Sequence, residues 1–464
     1  MFKRDRYLPF IMWLVPLSFF AYQFILRLWP GLMMNQIMHQ FSIEASEFGM
    51  LAAFYYYGYA GMQIPVAIFL ERFGARYTIF VFGVLCGVAT IIFTFTSNFY
   101  LALISRFLIG AGSSVGFLGV SKVVSEYFSR EQYPKMISIS FTFGLMGAIY
   151  GGKPVSVLVE TYDAQKVALI LSCIAIFIGC SAYAILRNPK SIMAKPLMAK
   201  PLMEMELSSD STSKTVANKS IIATENTQQR LNSSWNFSAI FSSPSIWFIA
   251  IANLLMVGAL EGFADVWGIP YLMTAYNLPK SQAASLTSSI FYGMLFGGPL
   301  LTILSKKIGN YLVIALCGFG MASSFALLFL QNDYNHLLLS GLFYTIGVLC
   351  CYQVIIFSVG ANLVSPKDLG VTVAFLNCIN MLGGSFFHTM IGNIMDLLWT
   401  GTANADGVKT YDLVIYKYSL AIIPACATIG SIIICLMAIN IRFRYKQTKV
   451  KLVRHDIAPD SYAR

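Results

Sequence analysis

The sequence has little charge for its length. Only 11% of its 464 residues are Asp, Glu, Lys or Arg, whereas soluble domains carry about 25%. Hydrophobic residues make up 57% of the chain, and apolar stretches recur that are long enough to cross a hydrocarbon layer of about 30 Å. This composition excludes a soluble protein. Because the stretches are continuously apolar, it predicts membrane-spanning helices rather than alternating strands.

The sequence also lacks the patterns of a metal site, a disulfide framework or an enzyme. Its nine cysteines all lie in apolar stretches, and neither their spacing nor that of the four histidines is typical of metal ligands. No nucleophile lies next to a base in the sequence. We therefore expect no metal, no cofactor and no catalytic residue, and we do not expect an enzyme.

The apolar stretches predict an all-α membrane protein with twelve transmembrane helices in two pseudo-symmetric six-helix bundles. The basic and then apolar N-terminus resembles a signal peptide, but no small-residue cleavage site follows, so we expect it to form the first helix. The predicted spans are residues 8–38, 47–70, 77–96, 99–127, 134–158, 166–186, 245–275, 281–304, 311–330, 337–364, 370–398 and 417–441.

The basic residues predict the orientation of these helices. The formal net charge is +11, and with the N-terminus inside, 25 of the 32 Lys and Arg fall on the cytoplasmic side. This is the asymmetry typical of membrane proteins. It favours a lipid bilayer, and no nucleic acid, as the partner. We expect both termini to be cytoplasmic, in a bacterial inner (plasma) membrane.

One polar stretch divides the chain into domains. Residues 188–234 are rich in Ser, Thr, Lys, Asn and Gln, and such a segment does not bury a core. The predicted domains are an N-terminal six-helix bundle (1–187), a cytoplasmic linker with an interfacial helix (188–244), a C-terminal six-helix bundle (245–441) and a basic cytoplasmic tail (442–464).

The two halves repeat one plan. Proline and glycine positions recur at offsets of 234 to 240 residues, which indicates duplication of a six-helix unit. A substrate site is then expected between the halves, near the membrane midplane. The matching positions are Pro30 with Pro270, Pro65 with Pro299, Gly110 with Gly347, and Gly147 with Gly383.

Two short motifs resemble those of the major facilitator superfamily. The segment RFLIGAG (106–112) resembles its R-x-x-x-G-x-G motif, and the segment AIFLERFGAR (67–76) resembles its cytoplasmic-loop signature, although Ala67 and Ala75 depart from it. The loop residues that match are Glu71, Arg72, Gly74 and Arg76.

The resemblance implies transport of a small solute by alternating access. It also implies a gating role for the four matching loop residues and a role in proton coupling for Arg106. Two alternatives remain open. The basic loop residues serve only to orient the helices, or Arg106 serves only as a hydrogen-bond donor to a neighbouring helix backbone.

Arg27 is the only charged residue between Leu8 and Met38. A charge at the centre of a membrane helix costs about 2.5–3.5 kcal/mol, so a tolerated one usually faces the bundle interior. Gln23 lies one turn earlier on the same helix face. The position resembles the substrate arginine in the first helix of the organophosphate/phosphate antiporters of this superfamily. We predict that Arg27 and Gln23 bind an anionic substrate; the alternative is that Arg27 extends to the outer interface.

The seventh predicted helix carries two acids, Glu261 and Asp265, which share a face because they are four residues apart. Two carboxylates this close do not both ionise without cost, so we expect them to carry a proton. The half-to-half offset places Asp265 opposite position 25, close to Arg27. Two alternatives are a structural salt bridge that joins the halves and a gating salt bridge that breaks during the cycle.

Three further polar residues are candidate substrate ligands: Lys153 in the fifth helix, and Asn377 and Asn380 in the eleventh. Lys153 ends the segment GAIYGGK, which matches a phosphate-binding loop, but Pro154 stands where such a loop needs Ser or Thr. We therefore predict that Lys153 lines the substrate cavity or extends to the outer interface.

The sequence as a whole predicts a monomeric, proton-coupled secondary transporter of a small molecule. An organic anion, an amino acid or a small peptide fits the pairing of Arg27 with two acids. The alternatives are a proton-driven exporter of drugs or siderophores, and a non-transporting sensor with the same fold.

Overall fold

The computed structural model describes residues 4–129, 131–187, 243–331, 333–364, 369–404 and 407–456. The predicted linker lies outside these residues except for its last two positions. The backbone of the predicted basic tail is helical as far as Asp456.

Twelve helical spans cross the molecule within the described residues, which confirms the predicted fold class. In chain order they are span 1 (Arg4–Leu32), spans 2 and 3 (Ala45–Phe95), span 4 (Phe99–Ser113 and Val115–Tyr127), span 5 (Tyr133–Gly151 and Lys153–Thr161), span 6 (Ala164–Ile185), span 7 (Pro244–Met256, Gly258–Trp267 and Gly268–Tyr276), span 8 (Lys280–Ile308), span 9 (Asn310–Leu330), span 10 (His336–Cys350 and Tyr352–Asn362), span 11 (Leu369–Leu397) and span 12 (Leu413–Leu420 and Ile422–Asp456).

The turns after spans 2 and 8 depend on equivalent glycines. Gly74 separates spans 2 and 3 with φ 78° and ψ 168°, and Gly309 separates spans 8 and 9 with φ 92° and ψ 149°. Only glycine adopts such positive φ values readily. The loop glycine of the sequence motif therefore has a backbone role in both halves.

Span 5 is broken at Gly152, where φ is −78° and ψ is −104°. The break precedes the Lys153-Pro154 pair. Pro154 has no N–H to donate and is tolerated in the first turn of a helix, where that N–H would have no partner. The second part of span 5 accordingly begins at Lys153, with Pro154 in its first turn.

The central part of span 7, Gly258–Trp267, is a π-helix, which the sequence analysis did not predict. Its Phe263 ring packs inside the C-terminal half, with ring centroids 5.1 Å from Phe325 of span 9 and 5.6 Å from Phe343 of span 10. The π-helix is therefore held against the core of one half, and its other side is free to meet the opposite half.

The two halves meet where backbones approach closely at glycines. A Cβ atom on Gly49 would lie 2.2 Å from the carbonyl oxygen of His388, and one on Gly392 would lie 2.3 Å from that of Ala45. Spans 2 and 11 thus cross in contact. Small residues permit such approaches between membrane helices.

We name the two sides of the molecule by the chain. The N-terminal face carries the start of span 1 and the turns at Gly74 and Gly309, and the opposite face carries the connections after each odd-numbered span.

Candidate functional site

Arg27 of span 1 lies between the two acids of span 7. Its NH2 nitrogen is 2.9 Å from Glu261 Oε2 and donates a 3.1 Å hydrogen bond to Asp265 Oδ1. Its Nε lies 2.6 Å from Asp265 Oδ2, in an ion contact that is not aligned as a hydrogen bond. All three side chains are buried. The arginine and acids that the half-to-half offset placed near each other therefore form an ion cluster that joins the two halves.

Two backbone features bring this cluster together. A Cβ atom on Gly31 would lie 2.8 Å from the carbonyl oxygens of Asp265 and Val266, so span 1 contacts span 7 one turn beyond Arg27. The π-helix of span 7 keeps both acids on the side that faces span 1. Single π-helical turns are rare and frequently occur at functional sites.

Tyr56 of span 2 binds both acids. Its hydroxyl lies 3.0 Å from Glu261 Oε2 and also forms a short contact with Asp265 Oδ2. Its ring packs against Gly384 of span 11, where a Cβ atom would lie 2.5 Å from ring carbon Cε1. A tyrosine hydroxyl has one hydrogen to donate. The second of these two contacts is a hydrogen bond only if that carboxyl group carries a proton.

Arg106 of span 4 is buried without an acidic partner. Its NH1 donates a 3.1 Å hydrogen bond to the carbonyl oxygen of Leu26, and its guanidinium lies 5.1 Å from the ring centroid of Tyr55. Its Nε has no hydrogen-bond partner, and it forms no ion pair within the described residues. Arg106 therefore bonds the backbone of a neighbouring helix, and it also has a free donor and a charge that no acid compensates within the described residues. Its role in proton coupling stays a prediction.

On spans 1 and 11, further buried polar atoms have no hydrogen-bond partner among the described residues. They are Gln23 Oε1, Asn380 Oδ1 and both ring nitrogens of His388. The His388 ring is 5.3 Å from the Tyr56 ring, measured between centroids. A buried polar group without a hydrogen bond costs about 1–3 kcal/mol, so these atoms are candidates to bind a polar ligand.

Some predicted ligands lie elsewhere. Lys153 is exposed at the start of the second half of span 5, and it forms no ion pair within the described residues. Lys153 is not part of the Arg27 cluster, and its exposure fits either of its two predicted placements, so its role as a ligand stays a prediction. Asn377 is only half-buried, whereas Asn380 is buried.

The predicted gating residues lie at the N-terminal face. Arg76 Nε donates a 2.8 Å hydrogen bond to the carbonyl oxygen of Tyr183 near the end of span 6, and its guanidinium lies 4.4 Å from the Tyr183 ring centroid. A cation at a helix C-terminus is favourable. Glu71 and Arg72 are exposed, and in the described part of the chain neither forms an ion pair.

His388 is a third polar candidate of span 11 beside Asn377 and Asn380, and Tyr56 is one of four tyrosines of which at least one was expected to face the cavity, but sequence patterns selected neither as a site residue. Tyr56 stands among four tyrosines in the segment FYYYGYAG (54–61), which covers all faces of a helix, so periodicity does not select it. The available signal was Gly384 in span 11, because a glycine at a helix crossing leaves room for an aromatic ring from the opposite half.

Comparison with known families gives the identity of the fold. Residues 11–394 match the family model of the Major Facilitator Superfamily. The chain belongs to the Major Facilitator Superfamily. The family match covers both halves of the chain, including the ion cluster of Arg27, Glu261 and Asp265.

Three relatives are similar to parts of this superfamily member. It is 30% identical to the uncharacterized transporter YybO of Bacillus subtilis over 138 residues, which are 30% of this chain and 32% of the relative. It is 21% identical to the probable sulfoacetate transporter SauU of Cupriavidus necator over 140 residues, which are 30% of this chain and 33% of the relative. The chain thus spans about a third of the length of these two proteins.

The third relative, the membrane sensor protein UhpC of Salmonella typhimurium, is 20% identical over 372 residues, 77% of this chain and 79% of the relative. Among solved structures, a bacterial homologue of the human lysosomal transporter Spinster is similar in two inward-facing forms. The occupied form has a TM-score of 0.61 at 15% identity and covers 91% of this chain and 94% of its own. The unoccupied form has a TM-score of 0.62 at 16% identity and covers 94% and 96%.

Proposed function

We propose that this superfamily member transports a small organic anion together with a proton by alternating access. The observation that carries the proposal is the contrast between two buried arginines. Arg27 is already neutralised by two acids of the opposite half, whereas Arg106 has no acidic partner. The four charges sum to zero, so a bound anion brings one uncompensated negative charge into a site of low dielectric constant.

A proton compensates that charge. When either Glu261 or Asp265 takes up a proton, the charge of Arg27 becomes available to an incoming carboxylate or sulfonate. Removing an ion from water into a protein interior is costly unless it is paired, so anion and proton favour each other's binding. Loss of the proton on the other side of the membrane restores the Arg27 cluster and displaces the anion.

The contacts of Tyr56 support this role for the acids. Its single hydroxyl hydrogen serves only one of two carboxyl oxygens at a time, and the hydroxyl contacts both of them. A proton held by the pair completes the second hydrogen bond. Acid pairs of this kind are typical of proton relays in transporters.

The position of the cluster supports alternating access. Arg27 belongs to the N-terminal half and the acids to the C-terminal half, so the ion pairs favour conformations in which the halves approach at this level. A ligand that replaces these pairs stabilises different conformations from the empty site, and that difference is what shifts a conformational equilibrium.

A simple anion fits the site better than an amino acid or a peptide. The amine of an amphoteric substrate needs a free carboxylate, and Arg27 and Tyr56 already occupy both acids. The partial likeness to a probable sulfoacetate transporter points in the same direction, since sulfoacetate carries only acidic groups. The substrate ligands we propose are Arg27, Arg106, Gln23 and Asn380.

A sensor is the second candidate function. The likeness to the membrane sensor protein UhpC extends over 77% of this chain, more than twice the share matched by either transporter relative. A sensor with this site binds the anion without carrying it across the membrane.

One set of experiments separates these functions. A thermal-shift screen of purified protein against carboxylates and sulfonates identifies ligands, since a ligand of the folded state raises its apparent stability. Transport of the best ligand is then measured in proteoliposomes with and without a pH gradient. We expect accumulation driven by the pH gradient, and binding without flux would instead establish the sensor.

The same liposomes test the two acids. Glu261→Gln and Asp265→Asn resemble the protonated acids, so we expect exchange of substrate between the two sides to continue while uphill accumulation is lost. If either variant still accumulates substrate against its gradient, that acid does not carry the coupled proton.

We also propose that both termini and the loop residues Glu71–Arg76 face the cytoplasm, in a bacterial inner membrane, and that the protein acts as a monomer. Labelling of single cysteines introduced between residues 188 and 234 tests the orientation. Labelling of that segment from the outside would reverse every assignment of sides.

A further inference from the structure

Two helices at the opposite face receive their N-terminal caps from the other half of the molecule. The first four N–H groups of any helix have no partner within that helix. In spans 4, 10 and 12, the residue before the helix accepts a hydrogen bond from one of these N–H groups, three residues later. These residues are Asn98, Asn335 and Asp412. Span 8 has no such side-chain hydrogen bond of its own, and the position before it is Pro279. Span 2 has a capping box of Glu44 and Glu47, and the N–H groups of Ala45 and Ser46 bond to the other half.

Asp396, at the end of span 11, caps span 2. Its Oδ2 accepts a 2.7 Å hydrogen bond from Ser46 N, and its Oδ1 lies 3.3 Å from Ala45 N. Tyr411 reinforces the contact by accepting a 3.0 Å hydrogen bond from Ala45 N and donating its own hydroxyl to Asp396. Burial and the Asp396 carboxylate raise the pKa of Tyr411, so its hydroxyl remains a donor.

Glu160, at the end of span 5, caps span 8. Its Oε1 accepts a 3.1 Å hydrogen bond from Ser281 N. The two caps are equivalent in the internal repeat, because Asp396 lies 236 residues after Glu160 and Ser281 lies 236 residues after Ala45. Gly147 and Gly383 have the same spacing. Each half therefore ends its fifth helix in an acid that caps the second helix of the other half.

Within the described part of the chain, an ion pair closer than 4 Å accompanies the Asp396 cap and not the Glu160 cap. Lys409 Nζ lies 2.7 Å from Glu44 Oε2, 4.0 Å from Asp396 Oδ1 and 4.4 Å from the ring centroid of Trp399. Lys409 comes from the loop between spans 11 and 12, and Glu44 directly precedes span 2. The Glu160 cap is a single hydrogen bond at an exposed side chain.

We propose that Glu160 and Asp396 are a duplicated pair of cross-bundle caps that hold the opposite face closed, with Asp396 the stronger of the two. The proposal rests on the alternating access proposed above, in which this face must open once in each cycle. Opening separates each acid from the N–H groups and from the positive end of the helix dipole that it stabilises. The caps thus set the equilibrium between closed and open forms of this face, without contacting the substrate.

The test is a distance measurement across the opposite face, made without substrate. Spin labels are placed at Ser97 in the N-terminal half and at Asp333 in the C-terminal half, both exposed on this face, with the accessible native cysteines replaced by serine. Double electron–electron resonance then gives the distribution of distances between the two labels, and hence the populations of the closed and open forms, in detergent-solubilised full-length protein.

We expect Asp396→Ala to raise the ratio of open to closed forms by about fivefold, the effect of losing a typical helix cap. Glu160→Ala is expected to raise it less, and the double variant is expected to raise it by about the product of the two effects. Asp396→Asn, which keeps an oxygen acceptor but loses the charge, is expected to lie between wild type and Asp396→Ala.

Asp412→Ala is the matched control. Asp412 caps span 12 within its own half on the same face, so its loss removes a cap without separating the halves. Circular dichroism and gel filtration check that each variant is folded. An unchanged distance distribution in the folded double variant overturns the proposal, and so does an equal shift in Asp412→Ala. The distance measurement uses no substrate, so its outcome does not depend on whether the protein transports an anion in liposomes.

Discussion

Arg27 and Arg106 are buried in the same half of the protein, on spans 1 and 4, but their surroundings differ. Arg27 contacts two carboxylates and lies 5.3 Å from the Phe24 ring centroid and 5.8 Å from that of Tyr56. Arg106 contacts a carbonyl oxygen and the face of the Tyr55 ring. Among the described residues, the charge of Arg27 is therefore compensated by acids and the charge of Arg106 is not.

This difference assigns the two arginines different tasks. A cation that already has partners binds an anion only when those partners change, which couples its binding to the protonation of Glu261 and Asp265. A cation without an acidic partner attracts an anion in every state. Under the proposed function, the same residue type therefore supplies coupling at one position and affinity at the other.

Removing Arg27 is expected to have the largest effect. Arg27→Ala leaves two buried acids unpaired, and breaking a buried ion pair in this way costs about 3–5 kcal/mol of folding free energy. We expect loss of anion binding together with a marked fall in thermal stability. Arg27→Lys is expected to restore little, because an ammonium lacks the planar two-pronged donor geometry of guanidinium.

A combined variant shows which of these losses matters. In Arg27→Ala with Glu261→Gln and Asp265→Asn, no charge of this cluster is left unpaired, so stability is expected to recover while binding does not. Recovery of both stability and binding would mean that the three residues form only a structural salt bridge between the halves. Normal binding by a folded Arg27→Ala protein would rule out an anion site at Arg27. Thermal unfolding and equilibrium binding in a double-mutant cycle measure both quantities.

Removing Arg106 is expected to weaken anion binding without lowering thermal stability. Arg106→Gln keeps much of the side-chain length but removes a charge that no acid compensates. We expect anion affinity to fall about 10- to 100-fold, the range for losing a charged hydrogen bond, with thermal stability unchanged or slightly raised. If stability falls as far as in Arg27→Ala, the contrast between the two arginines is wrong.

The sequence was sufficient to predict the pairing of Arg27 with the acids. The internal repeat aligns Asp265 with position 25, and a repeated fold places aligned positions at one level of the membrane. The glycines at 74 and 309 were predictable for a similar reason, because each follows basic residues at equivalent places in the two halves.

Other features depend on three-dimensional packing that no local pattern encodes. Nothing in the sequence of Gly258–Trp267 distinguishes a π-helix from an α-helix. Likewise, the sequence does not show which tyrosine of span 2 contacts the acids, because that depends on the space that Gly384 of the other half leaves for the Tyr56 ring. The absence of an acid near Arg106 depends on which helices surround it. The break of span 5 at Gly152 was also not predicted, although the Lys153-Pro154 pair that follows it is visible in the sequence.

A change at the N-terminal face is expected to leave both arginines unaffected. Glu71 is exposed and far along span 2 from Tyr56, so Glu71→Ala is expected to slow transport while substrate affinity stays within a few-fold of wild type. Initial uptake rates and equilibrium binding of the same preparation measure the two effects. A large loss of binding in a folded protein would place Glu71 in the substrate site rather than at the gate.

The smallest effect is expected at Lys153. Because it is exposed and outside the Arg27 cluster, Lys153→Ala is expected to change anion affinity less than about twofold, the scale of surface substitutions. Asn380→Ala in span 11 is the matched comparison and is expected to weaken binding more, since its buried Oδ1 has no partner within the described residues. The opposite order of the two affinities would restore Lys153 as a ligand.

The central claim is that anion and proton bind together at the cluster of Arg27, Glu261 and Asp265. Calorimetric titration of the anion ligand in buffers of different ionisation enthalpy, at one pH, measures how many protons the protein takes up on binding. We predict uptake of about one proton per anion by the wild-type protein, by the linkage of binding to protonation, and none by the variant that carries both Glu261→Gln and Asp265→Asn. Anion binding by the wild-type protein without proton uptake would contradict the claim.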